Sequence, residues 1–182
     1  MERGTRRRLR WLVGSAGGTA ATLGASLLLA ACSSSGPVAA LPGRAILTSD
    51  AATRTVHLLL EGGENGAYDG FNFDGYGNGG MTVRVPAGWT VDVTFTNEST
   101  TFTHSCGVAR DAPISTNAGP VVFGATTPDP TTGLPFGATA HFSFVPTRAG
   151  RYRIVCFVTA HEADGMWDWF VVTTGGRPSV ST

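Results

Sequence analysis

The sequence predicts an all-β fold, an antiparallel sandwich or barrel of Greek-key type with roughly seven or eight short strands. Three observations lead there. Apolar and polar residues alternate with period two in several runs, which is the pattern of half-buried strands. The segments between those runs are rich in Gly, Pro, Asn and Asp, and beyond the N-terminal leader no stretch has a convincing helical period.

Taken in order, the first run is Val56 to Leu60, where Val56, Leu58 and Leu60 share one face and His57 lies on the other. In MTVRV, Met81, Val83 and Val85 alternate with Thr82 and Arg84, and Pro86-Ala87-Gly88 turns the chain. TVDVTFTN follows, with Val91, Val93 and Phe95 against Thr90, Asp92, Thr94 and Thr96. Further strands are expected at Val121 to Thr126, Ala140 to Val145, Arg151 to Val158 and Trp169 to Thr173. Gly75 to Gly80 and Thr127 to Gly137 read as loops.

Residues 1–43 are expected to lie outside this domain, which then spans 44–182. Arg3, Arg6, Arg7, Arg8 and Arg10 precede an apolar run of small residues, the layout of an export signal over 1–31. Leu29-Ala30-Ala31-Cys32 resembles a bacterial lipobox, which implies lipidation of Cys32 and a lipid-anchored protein on the extracytoplasmic face of the cell membrane. An uncleaved membrane-spanning helix is the competing reading, although its glycines, serines and threonines make it a weak span. The arginine run is compatible with either the Sec or the twin-arginine route. Residues 32–43, Ser/Pro/Gly/Ala-rich, read as a tether. Without the leader, eight arginines face twelve acidic residues, a charge near −4 with no basic stripe for nucleic acid.

The chemistry concentrates in CFVTAHEADGM, residues 156–166. Tyr152, Ile154 and Cys156 share the inward face of the preceding strand, with Arg151 and Arg153 on the other. The chain then leaves the sheet in a loop bearing His161 and Met166 and returns as a strand. Thiolate and thioether select soft metals, imidazole suits copper and zinc, and two histidines, one cysteine and a weak axial methionine make the blue-copper set. A structural zinc site would recruit a fourth strong ligand instead of methionine. One more histidine is needed. His57 and His141 stand opposite the apolar faces of their strands and read as surface residues, which leaves His104. With Cys32 assigned to lipid, Cys106 and Cys156 could form a disulfide, but that pairing leaves His104, His161 and Met166 unemployed.

The segments FNFDGYGNGGMTVRVPAGWTVDVTFTN (71–97), HSCGV (104–108) and GRYRIVCFVTAHEADGMW (150–167) resemble sulfocyanin, a membrane-associated blue copper protein of the cupredoxin superfamily. They are also similar to rusticyanin in the Cys-x₄-His-x₄-Met spacing and in the serine after the first histidine. The resemblance implies a Greek-key cupredoxin sandwich holding one type 1 copper ion, Cu(I)/Cu(II), with His104, Cys156, His161 and Met166 as ligands. It also implies a single-electron carrier rather than an enzyme. Expected partners are other respiratory redox proteins, a cytochrome complex or a terminal oxidase, met by a monomer.

Around the metal, Ser105 is expected to tie the first histidine to the cysteine loop, and Phe102, Phe157 and Trp167 to exclude water. Shielding of this kind favours Cu(I) and predicts a relatively high potential. Glu162 and Asp164 beside His161 read either as rim charges that select partners or as a solvated loop. Cys106 is not part of the family's ligand pattern; an inert buried thiol is the favoured reading, against a disulfide with Cys156 or an oxidation-sensitive site. Two other classes compete: a copper enzyme or nitric-oxide-responsive red copper protein, short of histidines for a second copper site, and a copper store, short of methionines.

Overall fold

The computed structural model describes residues 44–182. The expected signal peptide, Cys32 and tether therefore lie outside the described residues. Ten strands are present among the described residues: β1 (Leu47–Asp50), β2 (Thr55–Gly62), β3 (Thr82–Pro86), β4 (Thr90–Asn97), β5 (Gly107–Arg110), β6 (Val121–Thr126), β7 (Thr139–Phe144), β8 (Gly150–Val155), β9 (Trp167–Thr173) and β10 (Ser179–Ser181). They form two sheets, ordered β1-β2-β4-β7 and β10-β3-β9-β8-β5-β6.

Alternation explains most of this. In β4 every second residue, Val91, Val93, Phe95 and Asn97, is buried, and β2 does the same with Val56, Leu58 and Leu60. In β9 the buried set is Asp168, Phe170 and Val172. The inner faces meet in one core, where Phe144 of the first sheet lies 5.7 Å from Phe170 of the second, and Phe95 meets Phe73 edge-on at 6.1 Å.

The structure corrects the antiparallel expectation in two places. Strand β2 pairs with β4 in parallel, and β3 with β9 likewise, because each connection crosses the molecule instead of turning back as a hairpin. It also adds strands that alternation does not reveal: β1, β5 and β10 are three or four residues long, too short to show a period. Finally, β8 ends at Val155, so Cys156 sits one residue past the strand.

Where the second sheet faces outward, a smaller core forms. Ala109, Val155 and Phe157 are buried there against Ala118, Val121 and Trp167. Segment 111–118 has no strand of its own and lies over this face. Arg153, which strand parity sends outward, is consequently 1% exposed.

Candidate metal centre

The loop from Cys156 to Met166 is closed by its own backbone. Cys156 N donates to the Met166 carbonyl at 3.2 Å, and Met166 N to the His161 carbonyl at 2.8 Å. These bonds tie the thiol, the imidazole and the thioether residue to the same end of the sandwich. Gly165 makes the return possible: its φ is +103°, and a side chain there would collide with Asn78.

His104 arrives separately, between β4 and β5. Its backbone pairs with Leu134, donating N–H at 3.2 Å and accepting at 2.7 Å. Asn97, fully buried at the end of β4, fixes both strands of that bridge by donating to the carbonyls of Phe102 (2.9 Å) and Leu134 (2.7 Å). Gly133, at φ +76°, leaves room for the His104 backbone, which a Cβ would approach within 3.1 Å.

The three donors converge. His104 Nδ1 and His161 Nδ1 are 3.1 Å apart, and Cys156 Sγ is 3.3 Å from His161 Nδ1. All three residues are buried, and their donor atoms lie within 4.8 Å of one another. Three donors bonded at about 2.0–2.3 Å to one ion in a trigonal plane stand roughly 3.5 Å from each other, so the cluster needs little rearrangement to hold one. Met166 is fully buried in the main core beside them. Two imidazoles, a thiolate and a thioether residue are a soft donor set, which fits copper.

The electrostatics match that use. Burial, aided by the facing His161, pushes His104 down to about 4, so its imidazole stays neutral and able to donate a lone pair in mild acid. The Gly70 carbonyl works the other way, yet His104 Nε2 has no partner of hydrogen-bond geometry. His161 is lowered too, chiefly by burial, with Asp164 opposing. Burial pushes the Cys156 thiol up while hydrogen bonds from Ser105 pull it back, so a metal has to displace its proton.

Ser105 lies between ligand segments: its N–H points at Cys156 Sγ (3.3 Å), its Oγ is 3.6 Å from the same sulfur, and that Oγ accepts from Phe157 N at 2.8 Å. Phe102 is 36% exposed with its ring 6.0 Å from His161. Phe157 and Trp167 are placed differently from the expectation, in the small outer core under segment 111–118. The phenyl ring nearest His161 is instead that of Phe71, edge-on at 5.0 Å, which also lies 4.9 Å from Phe102. Its loop is organised by buried Asn72, which donates to the Ala67 carbonyl at 2.7 Å and accepts from Gly75 N at 2.9 Å. Asn97, Phe71 and Asn72 escape sequence reading because nothing in their spacing links them to the ligand loop; the one available signal is an Asn ending an alternating strand, a common place for a side chain to cap the outgoing turn.

One further expectation changes. Glu162 is neither rim nor solvated: it is 1% exposed, and its Oε1 lies 3.0 Å from Arg153 Nη1. Segment 111–118, which has no period of its own, is what buries it. Asp164 does remain exposed. Cys106 is a free, buried thiol in the main core, pushed well up by burial; Cys156 is likewise free.

A two-sheet sandwich with a buried cluster of two histidines and a cysteine at one end defines a cupredoxin, a blue copper protein. The sulfocyanin (SoxE) domain model matches residues 42–177. The chain belongs to the sulfocyanin family. It is 31% identical to sulfocyanin of Sulfolobus acidocaldarius over 124 residues, 64% of this chain and 62% of that protein. With rusticyanin of Acidithiobacillus ferridurans it shares 32% over 179 residues, 88% of this chain and 92% of the other. Against a solved structure of rusticyanin from Thiobacillus ferrooxidans the TM-score is 0.51 at 29% identity, covering 66% of this chain and 78% of that one. A rusticyanin point mutant gives 0.55 at 27%, covering 70% and 87%. The chain thus spans about three-fifths of the sulfocyanin's length, and its cofactor is type 1 copper.

Proposed function

We propose that His104, Cys156, His161 and Met166 bind one copper ion and that the protein carries single electrons between membrane-associated respiratory proteins. The observation that supports it most is the convergence of three buried donors inside a stiff sandwich: His161 Nδ1 lies 3.1 Å from His104 Nδ1 and 3.3 Å from Cys156 Sγ. Bound copper supplies a one-electron couple between its two oxidation states. The residues do the rest. Cys156 binds as thiolate, oriented by Ser105, whose N–H and Oγ both face the sulfur. His104 is held on the β4–β5 side by the Leu134 bridge, and His161 by the loop, so the donors barely move when the charge changes.

Phe71 and Phe102 lie against His161 and keep water from the imidazoles, which favours the reduced state and a high potential. His161, 7% exposed, is the donor closest to the rim and offers the shortest exit for an electron. In this reading Cys32 carries lipid, residues 32–43 are the tether, 44–182 are the redox domain outside the cytoplasmic membrane, and the partner is a cytochrome complex or terminal oxidase. Copper loading followed by redox titration tests it. The reading expects one copper per chain and a reversible one-electron wave at a potential above that of exposed blue-copper sites; irreversible or multi-electron behaviour would overturn it.

A further inference from the structure

The loop that carries His161 has a partner of its own outside the ligand set. Arg153 and Glu162 are each 1% exposed, although strand parity and loop position send both outward. Arg153 Nη2 donates to the carbonyls of Ala112 (2.6 Å) and Arg110 (3.3 Å), its Nη1 stands 3.0 Å from Glu162 Oε1, and its guanidinium lies 5.6 Å from the centre of the Trp167 ring. Glu162 Oε2 in turn accepts from Ser115 N at 3.3 Å. Two residues before Glu162, Ala160 N donates to the Thr116 carbonyl at 2.6 Å.

That last bond matters because Ala160 sits at φ +72°, a left-handed conformation that costs a non-glycine residue about 1 kcal/mol. An alanine next to a ligand histidine keeps such a conformation where its surroundings hold both sides of it: within the loop Asp164 N donates to the Ala160 carbonyl at 2.9 Å, and from outside the Thr116 carbonyl takes its N–H. Segment 111–118 is exposed, lacks any strand ladder, and supplies that hold through Ala112, Ser115 and Thr116. A buried ion pair is a poor source of net stability, since desolvation offsets the attraction. What it does give is register: Nη2 bonds two carbonyls in fixed directions while Nη1 holds the Glu162 carboxylate by charge, Oε1 having no partner of hydrogen-bond geometry.

We propose that Arg153 and Glu162 are positioning residues that clamp the ligand loop to segment 111–118 and so fix where His161 points. The inference rests on the assignment of His161 as a copper ligand, but the clamp can be tested without metal. In the full-length apo protein, hydrogen exchange at the Ala160 and Ser115 amides is compared with that of core amides such as Val93. Glu162→Ala and Arg153→Met are expected to speed exchange at Ala160 and Ser115 about 10-fold or more and to leave both amides exchanging well ahead of Val93, which follows global unfolding. Arg153→Lys and Glu162→Gln, which keep part of the geometry, should fall between.

In copper-loaded protein the same order is expected in copper release to a chelator, about 10- to 100-fold faster for Glu162→Ala, and in the Cu(II) hyperfine splitting, which a purely structural role would leave alone. Equal exchange in variants and wild type, exchange at Ala160 and Ser115 no faster than at Val93 in the variants, or unchanged release and hyperfine splitting would overturn the clamp. If wild-type protein takes up no copper, the functional reading fails while the exchange measurement still decides whether the clamp exists.

Discussion

The outward faces of the two sheets follow the same alternation and meet different fates. On the four-stranded sheet, His57 and His141 stand in solvent, His57 3.7 Å from Asp92 and His141 Nδ1 3.0 Å from Thr94 Oγ1. On the six-stranded sheet, Arg153 occupies an equivalent outward position and is sealed beneath segment 111–118 together with Val155, Phe157 and half-buried Trp167. Period two therefore tells which face a residue joins. Whether that face meets water depends on a loop whose own sequence has no period. At this end of the molecule the covering loop reaches the ligand loop, so the covered face serves the metal centre while the bare one does not.

The contrast sets an order of expected effects. Arg153→Met leaves Glu162 buried without its partner and should cost about 3–5 kcal/mol in denaturant unfolding. His57→Ala and His141→Ala, on the bare face, should each stay within about 0.5 kcal/mol. Equal costs on both faces would mean that segment 111–118 does not cover its sheet in solution.

Buried Asp74 gives the next effect. Arg44 ion-pairs with it, but burial dominates and raises its carboxyl to about 7 from 3.8. The folded state therefore holds this proton more tightly than the unfolded chain between those values. The sign is then fixed: this contribution is largest below pH 3.8 and fades as the pH rises to about 7, so its stabilisation grows on acidification. The change should be on the order of a few kcal/mol, visible in unfolding midpoints between pH 4 and 7. Asp74→Asn should reduce the slope, with buried Asp168, whose carboxyl burial also raises, supplying what remains; an unaltered profile in that variant would place the titrating group elsewhere.

A smaller change is expected at Cys106. It packs in the main core with its thiol held protonated by burial, so Cys106→Ala should cost about 1 kcal/mol in unfolding and leave the copper spectrum nearly intact. Loss of the visible band in this variant would show that the thiol takes part in the site.

Much of the molecule is legible in its residues. The alternation in β2, β4 and β9 gives the sandwich, and the spacing of Cys156, His161 and Met166 gives one loop of the site, because both are local patterns with a fixed geometric meaning. His104 is reached by elimination among four histidines. The parts that were not legible are those set by contacts between distant segments. Asn97 reads as a strand-end residue until Leu134 is seen beside it, and Phe71 as a loop aromatic until it meets His161. Glu162 reads as a surface charge because its partner Arg153 occupies a position that the alternation assigns to solvent.

The central claim is that Cys156, with His104 and His161, forms a copper–thiolate centre. The most direct test is the visible spectrum of the purified protein after addition of Cu(II), recorded beside Cys156→Ser. An intense thiolate-to-copper band in wild type that vanishes in the variant is the predicted result. Copper-loaded wild type without that band, or a band that survives in Cys156→Ser, would contradict the account.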